Sequence, residues 1–167
     1  DVRMELYVRA KTMEAIDCQH RRVDEALKAG GAAVGAKTVI ETLPGMFPLA
    51  CSPRLNDLFV ENIKEYFPET KIEDAGHFTA STDMGDISHL MPSIHPFIGG
   101  VDGGLHTKDF CVTDFDAAAI LPGKVFAMNI IDLLYDEAAM AKEILEKEKP
   151  ILTKEEYLAK LESYFQS

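Results

Sequence analysis

A chain of 167 residues with 17 Lys plus Arg against 28 Asp plus Glu carries a net charge of −11, which argues against a nucleic-acid partner, because phosphate binding needs clustered positive charge. Hydrophobic residues make up 47%, enough to build a core and outside the composition of disordered chains. No unbroken run of about eighteen apolar residues is present and no signal-peptide pattern opens the chain, so a membrane partner is not expected.

Met4–Ala10, MELYVRA, alternates Met4, Leu6 and Val8 with Glu5, Tyr7 and Arg9 and predicts a strand with one covered face. After Thr12, the positions Met13, Ile16, His20, Val23, Leu27 and Val34 recur at helical steps, and AGGAAVGA supplies C-cap glycines around 30–35. KTVIETLPG, residues 37–45, is β-branched and ends in Pro44–Gly45, a second strand and its stop. Residues 1–45 therefore read strand–helix–strand, too small a piece to cover both faces of its own sheet.

A proline-rich boundary follows. Ser52 is placed to cap a helix with Pro53 at its first position, Leu55, Leu58, Phe59 and Ile63 form its apolar stripe, and Pro68 lies beyond its end. TKIEDA, residues 70–75, is a weak strand; Asp83–Met91 is a short helix and Ser93–Ile98 a short strand. Thr113 and Asp116 bracket a capping-box pattern opening a helical region to about Lys149, broken or restarted around Pro122–Gly123. The last helix has a fuller signature: Thr153 caps, Glu156 stands three residues on, Leu152 is placed to staple to Tyr157, and Leu158, Leu161 and Phe165 form the inner face. The cysteines Cys18, Cys51 and Cys111 are odd in number and widely spaced, which fits reduced, idle thiols in a cytoplasmic protein. The chain begins with Asp1 rather than Met, which points to residues upstream.

Ser81–Phe110, STDMGDISHLMPSIHPFIGGVDGGLHTKDF, gathers His89, His95 and His106 with Asp83, Asp86, Asp102 and Asp109 among glycines and prolines. Histidine and carboxylate together suggest zinc or acid–base work, yet the histidine spacings match no standard zinc set. Turn and helix capping by Asp83 and Ser88 accounts for the front of the stretch. It does not account for GGVDGGLHTKDF, where four glycines permit a close backbone approach just before His106.

STDMGDISHLMPSIHPFIG followed by GGLHTKDF resembles the C-terminal part of the dinuclear-zinc amidohydrolases and peptidases, which include aminoacylases, carboxypeptidase-G-type enzymes and succinyl-diaminopimelate desuccinylase; the aminobenzoyl-glutamate-utilisation branch is the most similar. MELYVRAKTMEAIDCQHRRVDEALKAGGAAVGAKTVIETLPG resembles the second half of that family's inserted lid, and RLNDLFVEN, with Asn56, its return into the catalytic domain. The resemblance implies an α/β protein: residues 1–45 as half of a ferredoxin-like lid and dimerisation domain, and 46–167 as the C-terminal part of an α/β/α catalytic domain. It implies hydrolysis of an amide in an N-acyl amino acid or small peptide-like substrate, two zinc ions in the whole enzyme, and a homodimer paired through the lid. Residue by residue, His106 matches the last metal ligand, Arg9 a lid arginine that contacts the substrate carboxylate, and His95 a segment bordering the substrate. The other metal ligands, the catalytic glutamate and the lid histidine have no match here. No catalytic residue of the family is therefore expected in this chain, which reads as an inactive C-terminal fragment holding no zinc tightly. Two other readings stay open: a non-catalytic dimerisation or regulatory module, and a metal-free hydrolase pairing His106 or His95 with Asp109 or Asp86.

Overall fold

The computed structural model describes residues 1–74, 76 and 80–165. In chain order its elements are α1 (Met13–Ala33), α2 (Pro53–Tyr66), α3 (Met84–Leu90), β1 (Val101–Asp102), β2 (Cys111–Val112), a π-helical turn (Asp116–Ile120), α4 (Leu121–Lys147) and α5 (Lys154–Tyr164). Contacts group the described residues into two units: Asp1–Ala50, Ala75–Leu90 and Pro150–Ser167 in one, and Cys51–Asp74 with Met91–Lys149 in the other.

In the first unit, α1 starts where Thr12, in extended conformation, accepts a hydrogen bond on Oγ1 from the Ala15 N–H at 3.2 Å. Met13, Ile16, His20, Val23 and Leu27 are half-buried along one face. The helix ends on its small residues. Gly35 takes φ +71° and donates to the Ala32 carbonyl, while Ala36 donates to that of Gly31, a left-handed exit open to glycine. The helix α3 is held by a close approach: a Cβ on Gly85 would lie 1.9 Å from the Phe47 carbonyl oxygen. Ser88 then donates to the Gly85 carbonyl at 2.6 Å and accepts from the Ala50 N–H at 3.0 Å, and the His89 carbonyl accepts from the Leu152 N–H. In α5 the capping box is complete: Thr153 Oγ1 accepts from Glu156 N, and Glu156 Oε2 accepts from Thr153 N at 2.8 Å.

In the second unit, Ser52 accepts from Leu55 N at 3.1 Å with Pro53 in the first turn of α2. Leu58, Phe59, Asn62 and Ile63 are its buried face. Phe59, Ile63 and the fully enclosed Val125 of α4 form the core, flanked by Phe67, Ile94 and Leu121. One polar group sits within it. Asn62 Nδ2 donates to Asn129 Oδ1 and to Asp132 Oδ2, each at 2.8 Å, so a buried amide is matched rather than stranded. Arg54 Nη1 donates to both Glu61 oxygens at 3.1 and 3.0 Å, and the Arg54 backbone N–H donates to Glu148 Oε1. The strands β1 and β2 pair antiparallel, Val101 with Val112 and Asp102 with Cys111.

Several sequence expectations are corrected. Residues 4–10, 37–45, 70–74 and 93–98 form no strand (Ala75 of the third lies outside the described residues), because a strand is stable only against a neighbour and β1–β2 is the one ladder among the described residues. The N-cap positions of the π-helical turn and of α4 are Phe115 and Ile120, neither with a side-chain cap; the expected Thr113 cap does not form, and Asp114 instead accepts from Ala117 N at 3.0 Å. The restart expected around Pro122–Gly123 is present: the π-helical turn gives way to α4 at Leu121, with Pro122 in its first turn; a further break, not expected, comes at Tyr135–Ala138, where Asp136, Glu137 and Ala138 have φ of 50–62°. Leu158 and Phe165 are exposed, and Tyr157, Lys160, Leu161 and Tyr164 form the covered face of α5. The stretch Asp116–Lys147 does reach, by length and composition only, what a membrane span needs, with a hydropathy of 1.6 in its best window. The core helix of a globular protein meets the same measure; this one buries Val125 and Asn129 against α2 but leaves most of the window uncovered, with 17% of it buried.

Replacing Asn62 by Ala leaves the Asn129 and Asp132 oxygens without their donor and is expected to lower stability by roughly 2 kcal/mol. Replacing Asn62 and Asn129 together by Leu is expected to lower it less, because no neutral acceptor is then stranded. Urea unfolding midpoints of the two variants check the order.

Candidate functional site

The glycine-rich segment forms the loop between β1 and β2. Gly100 and Gly103 both take φ +84°, and a Cβ on Gly103 would lie 2.4 Å from the Asp109 carbonyl oxygen. The Gly100 carbonyl accepts from the N–H groups of Thr113 and Asp114 at 2.9 and 3.0 Å, which closes the base of the loop. His106 stands at its tip, exposed, with φ +62°, a left-handed conformation unusual for a side chain of its size. Its neighbour Thr107 folds back on the Gly104 carbonyl through Oγ1 at 2.8 Å. Asp109 is exposed in the same loop, and no hydrogen bond joins it to His106.

His95 lies in the same unit, partly buried, its ring 5.5 Å from that of Phe97. Its Nδ1 is fully enclosed and is the one such side-chain atom without a hydrogen-bond partner among the described residues. Leaving a buried ring nitrogen unpaired costs about 1–3 kcal/mol, and such an atom marks a place that a ligand or water completes.

Arg9 belongs to the other unit, exposed, with its guanidinium carbon 5.1 Å from the centre of the Tyr7 ring. Asp86, in α3, accepts from the Tyr157 hydroxyl at 3.1 Å. Burial first and then the Asp86 carboxylate push the Tyr157 phenol above its usual pKa. Asp86 is thus a fastener between α3 and α5. Asp83 lies just ahead of α3, its carbonyl accepting from the N–H groups of Asp86 and Ile87.

That unit also contains a cleft of 690 Å³. Its wall includes Phe47, Leu152 and the buried His89, whose Nδ1 donates to the Gly85 carbonyl at 2.9 Å and whose ring meets Phe47 edge-on at 5.2 Å. Sequence reading gives no signal for this cleft, because four separate stretches of the chain contribute to it. Beside it α1 and α5 are clasped: Asp17 accepts from Lys160 Nζ at 2.6 Å and from the Tyr164 hydroxyl at 2.9 Å. Burial works to raise the Asp17 carboxyl, but the Lys160 and Tyr164 hydrogen bonds outweigh it and hold its pKa below the usual range. Burial and the Asp17 carboxylate push the Tyr164 phenol far above its usual value.

Among the described residues no group of three or more His, Cys, Asp or Glu side chains is placed to hold a metal ion.

No family model and no solved structure matches the chain. The chain is 28% identical over 142 residues to the Xaa-Arg dipeptidase of Mus musculus, a match taking in 80% of this chain and 33% of the dipeptidase. It therefore spans about a third of the length of that relative.

The clasp sets a pH dependence. A depressed folded pKa at Asp17 contributes stability above the ordinary aspartate value, near 3.8, that is lost as pH falls through the folded value. The raised pKa of Tyr164 contributes stability below the ordinary tyrosine value, near 10.0, that is lost as pH rises beyond it. Asp17→Asn is expected to flatten both limbs and to cost less than about 1 kcal/mol at neutral pH, because the pair is partly solvated. Thermal midpoints measured across pH for the chain and the variant check this.

Proposed function

We propose that this chain is part of a metal-dependent amidohydrolase or peptidase that cleaves an amide bond in a small peptide-like or N-acyl amino acid substrate. The observation that carries the reading is the 28% identity to the dipeptidase along 80% of the chain. In this reading residues 1–45 belong to a ferredoxin-like lid and 46–167 to an α/β/α catalytic domain, and the remaining ligands and the general base lie outside the chain.

The roles of individual residues follow from their surroundings. His106 is exposed on a loop closed by backbone hydrogen bonds, so its imidazole is free to serve as one donor to a metal held mainly by other residues. Zinc, when bound, supplies Lewis-acid activation of water and of the amide carbonyl. Arg9 carries a planar fork suited to a substrate carboxylate, and stacking on Tyr7 limits where that fork can point. His95 stands in the same unit, partly buried beside Phe97, and in this reading borders the substrate.

The reading also includes a homodimer through the lid. Val2, Met4, Tyr7, Val39 and Leu43 are exposed on segments that form no strand within the chain, and apolar surface of this kind suits cover by a second copy. A clean monomer by light scattering of the concentrated protein would count against that part of the proposal.

In the complete enzyme, His106→Ala is expected to reduce metal content and turnover together by more than about 100-fold, the upper end of what losing even an outer-shell partner costs, while the circular dichroism spectrum is unchanged. The isolated chain is expected to show no stoichiometric sub-micromolar zinc binding by calorimetric titration. Full turnover in the His106→Ala enzyme ends the ligand assignment.

A further inference from the structure

The straight part of α4 is apolar on two sides. Val125 and Asn129 are buried towards α2. On the side facing away, Phe126, Ile130, Ile131 and Leu134 recur at helical steps and remain exposed, the last two at 64% and 63%. A contiguous apolar surface of this kind marks a contact. The geometry points to this face as the seat of a second copy of the chain, packed antiparallel on it about a two-fold axis beside Ile130.

Charge placement selects that partner. Between Phe126 and Leu134 the one ionisable residue is Asp132, which accepts from Asn62 on the α2 side. Lys124 stands just ahead of the face, and Asp136 and Glu137 just beyond it, where the left-handed break ends the straight segment. All three are exposed, and none has a hydrogen bond or ion pair among the described residues. Ile130 lies six residues from both Lys124 and Asp136. A two-fold axis beside it therefore sets Phe126 against the partner's Leu134, about 6 Å along the helix from the axis. It sets Lys124 near the partner's Asp136 and Glu137, once at each end of the contact. A parallel pairing would instead set lysine beside lysine and carboxylate beside carboxylate.

The net charge argues in the same direction. At −11, two copies repel wherever their carboxylates meet, and a face without an unpaired carboxylate is where they approach with least repulsion. The same charge opposes an anionic lipid surface, and one flanking lysine falls short of the basic rim of helices that lie on such surfaces. No metal ligand, substrate group or lid residue takes part, so the contact is independent of the hydrolase reading.

Sedimentation equilibrium of the full 167-residue chain tests this. Self-association is expected, and Leu134→Asp is expected to weaken it about 100-fold, because each copy then buries a carboxylate in the contact. Leu134 is exposed in the single copy, so the circular dichroism spectrum of the variant is expected to be unchanged. Lys124→Glu gives a chain acidic at both ends of the face, and Asp136→Lys with Glu137→Lys gives one basic at both ends. Each alone is expected to associate about tenfold more weakly, and an equal mixture of the two to recover the affinity of the unaltered chain. A monomer up to ~1 mM overturns the proposal. So does association that survives Leu134→Asp, which places the contact on another surface such as the lid, and so does a mixture that recovers nothing. Binding to phosphatidylcholine vesicles without self-association, abolished by Leu134→Asp, assigns the face to lipid and overturns it equally. Because zinc and turnover are not read, failure here leaves the hydrolase reading untouched.

Discussion

The arrangement of α3 depends on the approach of the Phe47 carbonyl to Gly85. With 1.9 Å between that oxygen and where a Cβ would be, only glycine lets the two backbones meet. The consequence runs outward from that point. Gly85 is brought in, its carbonyl takes both Ser88 and His89, and Ser88 in turn receives the Ala50 N–H. The Phe47 ring then lies against His89 and Tyr157 at 5.2 and 5.3 Å. One missing methyl therefore sets the hydrogen bond of a buried histidine, the docking of a coil on a short helix, and one wall of the cleft.

The second unit is organised differently. Its apolar core is small, with Phe59, Ile63 and Val125 at its centre, and the amide of Asn62 fixes the register of α2 on α4. Leucine at that position would pack in several rotations of the helix, whereas an amide donating to both Asn129 and Asp132 is satisfied in one. Polar groups enclosed in this way specify an arrangement more than they stabilise it.

Helix starts were legible in the sequence because they are local. Thr12, Ser52 with Pro53, and Thr153 with Glu156 each satisfy their own helix within three residues, and the glycines after Ala33 end α1 the same way. At Thr113 the sequence misled: the Ala117 N–H goes to the neighbouring Asp114 carboxylate, the stronger acceptor for a helix N–H. Strands were not legible, since alternation in MELYVRA describes a face and not the neighbour that must cover it. The break at Asp136–Ala138 gave no warning either. Tyr135, Glu137 and Ala138 are ordinary helix residues, and nothing in their propensity foretells a left-handed turn. Of the candidate site, the glycine spacing placed His106 at a tight loop correctly, while Phe47, His89 and Lys11 come together only through folding.

His106 and His95 show how differently one residue type is treated in one unit. The first is held by backbone alone: glycines at +84° on either side of β1 and a threonine folded back on Gly104 force it out to solvent with φ +62°. A left-handed histidine costs of order 1 kcal/mol or more, and no packing at the loop tip recovers that, since every residue of 101–110 is exposed. The second is held by packing, with its Nδ1 enclosed and unmatched. Strain without burial at one and burial without a partner at the other are two ways of leaving an imidazole incomplete.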